Sequence, residues 1–186
     1  MPKCIDQDFP CQNLNYSDFD SIAEAELKNP IPASEIVNES EYCIHVPTHK
    51  FFQIGDMKSS KFLRPMRGKI GLYHMWREYE HCDDHETVTM QCDYVGKGPP
   101  DTRIAKHINK KWPKEEMLYV TFYEFENRLA KYYEQLFLDV YQFDLNGNEN
   151  HGSKALCAVW DLELLIVGTH LNEISSYSKM QGLGDL

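Results

Sequence analysis

Between residues 103 and 112, Ile104, Ile108 and Trp112 recur at every fourth position, and Arg103, His107 and Lys111 form the stripe beside them. This spacing predicts an amphipathic helix that buries one face and turns a cationic face outward. Gly98-Pro99-Pro100-Asp101-Thr102 forms a turn ahead of it with two candidate N-caps, and Pro113 ends it. A second helix is predicted from about Glu126 to Val140. At about 100° per residue, Leu129, Tyr133, Leu136, Phe137 and Val140 make its core face, and Arg128, Lys131, Gln135 and Asp139 its wet face. Glu134 falls on the border, between Ala130 and Leu138.

Three segments have strand composition: "KIGLYHMW" (69–76), "TVTMQCDYVG" (87–96) and "EMLYVTFYEF" (116–125). The first two are joined by the polar "REYEHCDDHE", which predicts an antiparallel hairpin with a long connection. The resulting order is strand, strand, helix, strand, helix. It gives an α+β domain over residues 69–150, with a small central antiparallel three-stranded sheet flanked by helices. Residues 1–68 form an acidic extension for specificity, dimerisation or packing. It carries a helix in "SDFDSIAEAELKNP" capped by Ser17, a strand or two between Glu41 and Ile54, and a loop at Arg64-Pro65-Met66-Arg67-Gly68. Residues 151–186 are expected to hold a core or dimer helix from Ser153 to Gly168 and then a flexible tail.

The 186 residues are 42% hydrophobic and 26% charged, the composition of an ordinary globular domain rather than a disordered chain. Ala155 to Val167, the longest apolar run, is broken by Asp161 and Glu163, and residues after Met1 show no hydrophobic signal core. A cytoplasmic protein without membrane contact is therefore expected. The six cysteines, Cys4, Cys11, Cys43, Cys82, Cys92 and Cys157, are scattered over a chain too large to need staples, and read as reduced thiols. His81, Cys82 and His85 in "EHCDDHE" match no closed zinc pattern, so an acidic loop is expected there.

Net charge is −10, which taken alone disfavours nucleic acid. The charge is unevenly placed, however. Residues 1–60 carry 4 basic and 10 acidic side chains, 61–115 carry 11 and 8, and 116–186 carry 4 and 11. Two clusters make the middle basic: Lys61, Arg64, Arg67 and Lys69, then Lys97, Arg103, Lys106, Lys110, Lys111 and Lys114. A lone charge run is usually a solvated face. Two that bracket one segment point to an anion site, with Arg64, Arg67, Lys69, Lys106, Lys110 and Lys111 as candidate DNA contacts.

"GLY" at 71–73, "YVGKG" at 94–98, Arg103 with His107, Glu134 and Asn146, in this element order, resemble a GIY-YIG nuclease domain over residues 69–148. The lysine after the second motif and the Arg-x-x-x-His pair are most similar to the restriction-endonuclease branch. Leucine and valine replace the signature isoleucines, and the 20 residues between Tyr73 and Tyr94 exceed the usual connection. The resemblance implies phosphodiester hydrolysis with one metal ion per site.

The residue types suit that chemistry. Tyr73 and Tyr94 would bring two phenols to one point, but a phenol of pKa near 10 is a poor base. Lys97 and His107 would polarise or deprotonate the Tyr73–water pair. Arg103 would hold non-bridging phosphate oxygens with its planar fork. Glu134 would bind Mg²⁺, or Mn²⁺, on the leaving-group side. Asn146 would brace the site, with Asn148 and Asn150 as competitors for that role. The expected function is a DNA endonuclease of restriction type, acting as a homodimer. A delivered nuclease toxin would use the same site, and a catalytically silent DNA- or protein-binding module is the alternative of another class.

Overall fold

A computed structural model describes residues 4–38, 42–46, 63–113, 116–147, 150–161 and 169–170. Its strands are β1 (Tyr42–Val46), β2 (Gly71–Cys82), β3 (Thr87–Gly98), β4 (Leu118–Glu124), β5 (Tyr141–Gln142), β6 (Lys154–Ala155), β7 (Cys157–Asp161) and β8 (Thr169–His170). The helices are α1 (Ser17–Glu26), α2 (Ala33–Asn38), α3 (Pro100–Lys110) and α4 (Asn127–Val140), with short 3₁₀ turns at Cys4–Asp6 and Arg64–Met66. The architecture is mixed α+β. Among the described residues no helix is long and apolar enough to cross a membrane.

The sheet is wider than the three strands expected. Six strands pair antiparallel in the order β7-β3-β2-β4-β1-β8, with the three expected strands at its centre. Its two faces are covered differently. Leu72, Trp76, Val88, Met90 and Val95 pack on one side with Phe19 of α1, Ile36 and Val37 of α2 and Tyr133 and Phe137 of α4. Tyr73, Met75, Val120 and Phe122 pack on the other with Ile104, Ile108 and Trp112 of the α3 segment and Leu63 and Met66. Covered on both faces, β2 is buried at six consecutive positions, Gly71 to Trp76.

Four sequence expectations are corrected, the first being the caps of α3: the helix begins at Pro100 with Pro99 as its N-cap, so Asp101 and Thr102 lie inside it and neither caps it. The hairpin connection is the four residues 83–86, because β2 continues through Cys82 and β3 begins at Thr87. The polar residues taken for a loop belong to a twisted ribbon with register shifts at Met75/Trp76 and Glu78/Glu80. Its tip turns at Glu86, whose φ is 53°. The helix expected from Ser153 is instead β6 and β7 over the described part of that segment. Its apolar run fits a buried strand as well as a helix, and Trp160 settles edge-on against Trp76 at 5.6 Å, with β7 pairing along β3. Ser17 is the first helical residue rather than a side-chain cap, and its hydroxyl donates to Asn15 Oδ1 at 2.9 Å. Residues 162–168, the terminal "SKMQGLGDL", residues 47–54 of the expected second strand, Lys61, Lys114 and Asn148 lie outside the described residues.

Candidate active site and a thiol–imidazole cluster

β7 pairs with β3 only through Gln91, so the rest of that β3 edge must find other partners for its buried main-chain groups. They come in sequence. Leu156 O accepts from Cys92 N at 2.9 Å, and Asp93 O accepts from Leu145 N at 2.9 Å. Asn146 then takes both groups of Val95: Oδ1 accepts from Val95 N at 3.0 Å and Nδ2 donates to Val95 O at 2.9 Å. Lys97 N donates to Glu134 Oε1 at 3.1 Å. Asn146 thus acts as a one-residue substitute for a strand. Asn150 makes the same paired contact with Phe143, away from β3.

Around that edge the expected site residues meet. The Tyr73 and Tyr94 rings stack with centroids 6.0 Å apart, and His107 lies 4.3 Å from Tyr94 and 6.5 Å from Tyr73. Tyr73 faces Gly96 across the β2–β3 ladder, and a Cβ on Gly96 would lie 2.5 Å from the Tyr73 hydroxyl. Only glycine leaves room for that phenol. Gly98 adopts φ of 103°, a left-handed conformation that favours glycine, and Arg103 lies across it with Nη1 donating to Lys97 O at 2.5 Å. Tyr73, Tyr94, Lys97, Arg103, His107, Glu134 and Asn146 therefore come together from β2, β3, α3, α4 and the loop after β5.

Electrostatics refine their roles. Tyr73 is fully buried and its hydroxyl makes no well-formed hydrogen bond. Burial, with the Tyr94 phenol beside it, pushes Tyr73 well above the ordinary phenol value, so it is neutral at pH 7. Burial likewise raises Tyr94. His107 is pulled down to about 4, first by burial and then by Lys111, Arg103 and Lys106, which makes it a neutral imidazole. Glu134 is half-buried at the rim where the helical pattern placed it.

The candidate DNA contacts divide into engaged and open groups. Lys69 pairs with Glu124 at 3.3 Å, while Lys111 donates to Leu145 O at 3.0 Å and stands 5.0 Å above the Tyr94 ring. Lys106, Lys110, Arg64 and Arg67 are exposed, and the Arg64–Met66 turn packs against α3, so the two basic clusters are neighbours.

A second constellation escaped the sequence reading. Cys4, Cys11, Cys82 and His85 place four ligand atoms within 4.8 Å of one another, a group that could hold a metal ion. The acidic-loop expectation for "EHCDDHE" is thereby corrected: Cys82 and His85 join two distant thiols, while His81 turns away to Glu78 Oε2 at 3.1 Å. Such soft donors do not suit Mg²⁺. A signal was present in the half-sites Cys-x₆-Cys and Cys-x₂-His, but they lie 71 residues apart and nothing local joins them.

No protein-family model, curated protein or solved structure matches this chain.

Proposed function

We propose that the chain is a metal-dependent endonuclease that hydrolyses DNA phosphodiester bonds, in a restriction-type role. The observation that carries this reading is the meeting of Tyr73, Tyr94, Arg103, His107 and Glu134, from four elements, around the glycine-flanked backbone of Lys97. Each supplies something the reaction needs. Arg103 and Lys97 present charge to the phosphate, while Gly96 makes room for the Tyr73 phenol and Gly98 for the Arg103 side chain that lies across it. Tyr73, held neutral, would offer its buried, unsatisfied hydroxyl as the hydrogen-bond partner of a water admitted beside Tyr94 and His107. His107, also neutral, accepts its proton.

Glu134 keeps one oxygen on Lys97 N, which fixes the carboxylate at the rim. It would hold one Mg²⁺ or Mn²⁺, whose chemistry is to stabilise charge on the departing oxygen. Lys106, Lys110, Arg64 and Arg67 extend positive charge beside the site within an acidic chain, which directs a polyanion to this face. Cutting both strands of a duplex with one site per chain calls for a homodimer or two successive events.

The test is incubation of the purified full chain with supercoiled plasmid and with single- and double-stranded oligonucleotides, each with Mg²⁺, Mn²⁺ or chelator. Nicking or linearisation with a divalent metal, abolished by chelator, is expected. Intact substrates under every metal would overturn the proposal.

A further inference from the structure

Three segments meet at the hairpin tip, far from Glu134 in the chain. The residues from Cys4 to Asn13 contain no strand or α-helix, yet they lie across the β2–β3 ribbon. Gln7 Nε2 donates to His81 O at 2.7 Å, the Tyr79 hydroxyl donates to Asp8 Oδ2 at 2.9 Å, and Phe9 packs edge-on against Tyr79 at 5.3 Å. This course delivers Cys4 and Cys11 to Cys82, the last residue of β2, and to His85 in the turn.

Four of the six donor separations lie near those of a tetrahedral site, and all six are within 4.8 Å. Metal–sulfur bonds of about 2.3 Å and metal–nitrogen bonds of about 2.0–2.1 Å give sulfur–sulfur edges of about 3.8 Å and sulfur–nitrogen edges of about 3.6 Å. Here Cys4 Sγ lies 3.4 Å from Cys11 Sγ, and Cys11 Sγ 3.7 Å from Cys82 Sγ. His85 Nδ1 lies 3.3 Å from both Cys11 Sγ and Cys82 Sγ.

The surroundings fit ligation as well. The Gln12 side-chain amide contacts the other ring nitrogen of His85, Nε2, at 2.8 Å; with its oxygen turned to that nitrogen it would fix the ring with Nδ1 free to bind. Cys4 N donates to Asp84 Oδ2 at 2.9 Å, tying the first ligand to the turn that carries the last. Cys4 begins a 3₁₀ turn, and Cys82 O accepts from His85 N at 3.4 Å, so both ends of the cluster sit on tight turns. Three thiols gathered with an imidazole need a reason, and thiol hydrogen bonds are weak.

We infer that Cys4, Cys11, Cys82 and His85 form a structural Zn²⁺ site that pins the amino-terminal segment to the hairpin tip. Three thiolates and one neutral imidazole, in a tetrahedral arrangement, select zinc over magnesium. Binding releases the three thiol protons to solvent. All four positions come from the protein, so the site is closed and does no hydrolysis. It is separate from the carboxylate proposed to hold the cation of the nuclease reaction, and stands or falls without it.

Elemental analysis of the full chain, purified without chelator, tests this directly, with Zn²⁺ and Co²⁺ alone as probes. One zinc per chain is expected, and Co²⁺ in its place should give thiolate charge-transfer bands and the intense visible absorption of a tetrahedral centre. His81→Ala should keep the metal and Cys11→Ala should lose it. His85→Cys should retain it with an altered Co²⁺ spectrum, which keeps the test decisive even if Cys11→Ala fails to fold. Removing the zinc should lower Tm and speed amide exchange in residues 4–13. A wild-type chain that takes up neither metal, a Cys4–Cys11 disulfide in reduced preparations, or loss of metal in His81→Ala would each overturn the inference.

Discussion

Asn146→Ala is the most informative perturbation of the β3 edge. It deletes two hydrogen bonds to Val95, of 3.0 and 2.9 Å, where β7 no longer supplies a ladder. If water replaced the amide fully, the loss would be the net value of two bonds, about 1–3 kcal/mol. Val95 is fully buried, so part of the desolvation penalty of two orphaned groups, about 1–3 kcal/mol each, is added. We expect about 2–4 kcal/mol, a fall in Tm of roughly 5–15 °C for a chain of this size. Asn150→Ala is the matched control, because it removes the same paired contact from Phe143. The two variants should lose similar stability in thermal and urea melts. Only Asn146→Ala should lower the cleavage rate per folded molecule, since Val95 lies between Tyr94 and the Lys97 backbone. A cost under about 0.5 kcal/mol, or equal cleavage by both variants, would refute the bracing role.

Other expectations follow from the same geometry. Gly96→Ala places a Cβ 2.5 Å from the Tyr73 hydroxyl and 2.8 Å from Tyr94 Cε1, so it should cost about 1–3 kcal/mol of overpacking and abolish cleavage; a variant as stable and active as wild type would refute the close packing. Because His107 is held down to about 4, it stays neutral through mildly acidic pH, and any acid limb in kcat/KM that belongs to it should lie well below 6.5; a limb at 6.5 that vanishes in His107→Gln would contradict the burial argument. Asp93, buried beside Arg77, is raised by burial from 3.8 to about 6, so the folded state holds its proton more tightly than the unfolded chain. Its contribution to stability is present at low pH and declines as pH rises from about 4 to about 6. Asp93→Asn should flatten that decline in a Tm-versus-pH series, and an unchanged slope would count against it.

The helices that could be read from the sequence were those in which one face alone is buried, whereas the central strands β2 and β4, buried on both faces, were legible from composition. The α3 segment showed Ile104, Ile108 and Trp112 on one stripe with Arg103 and His107 beside it, and α4 placed Glu134 at the rim, because a half-buried helix writes its period into the chain. β7 did not, since Cys157, Ala158 and Trp160 are buried and no alternation separates strand from helix. The ribbon end of β2 was hidden for the opposite reason. Its polar residues look like a loop, but Glu78 accepts from the Tyr119 hydroxyl at 2.5 Å, and Tyr79 meets Asp8 and Phe9 of the amino-terminal segment. Tyr73, Tyr94, Lys97, Arg103 and His107 could be named as candidates because they sit in short local motifs, and Glu134 because the helical period placed it at the rim. The thiol–imidazole cluster was missed because its halves meet only in three dimensions.

The central claim is that the Tyr73–Tyr94–Arg103–His107–Glu134 constellation cleaves DNA, and single-turnover nicking of supercoiled plasmid in Mg²⁺ by three proteins tests it most directly. Wild type should cut. Tyr73→Phe removes only the hydroxyl, and Glu134→Gln keeps an oxygen for Lys97 N while removing the charge that would hold the cation. Both should fold with Tm near that of wild type and lose at least 10²-fold in rate, the usual scale for a positioned catalytic group. Cleavage by either variant at the wild-type rate, or none by wild type itself, would contradict the account.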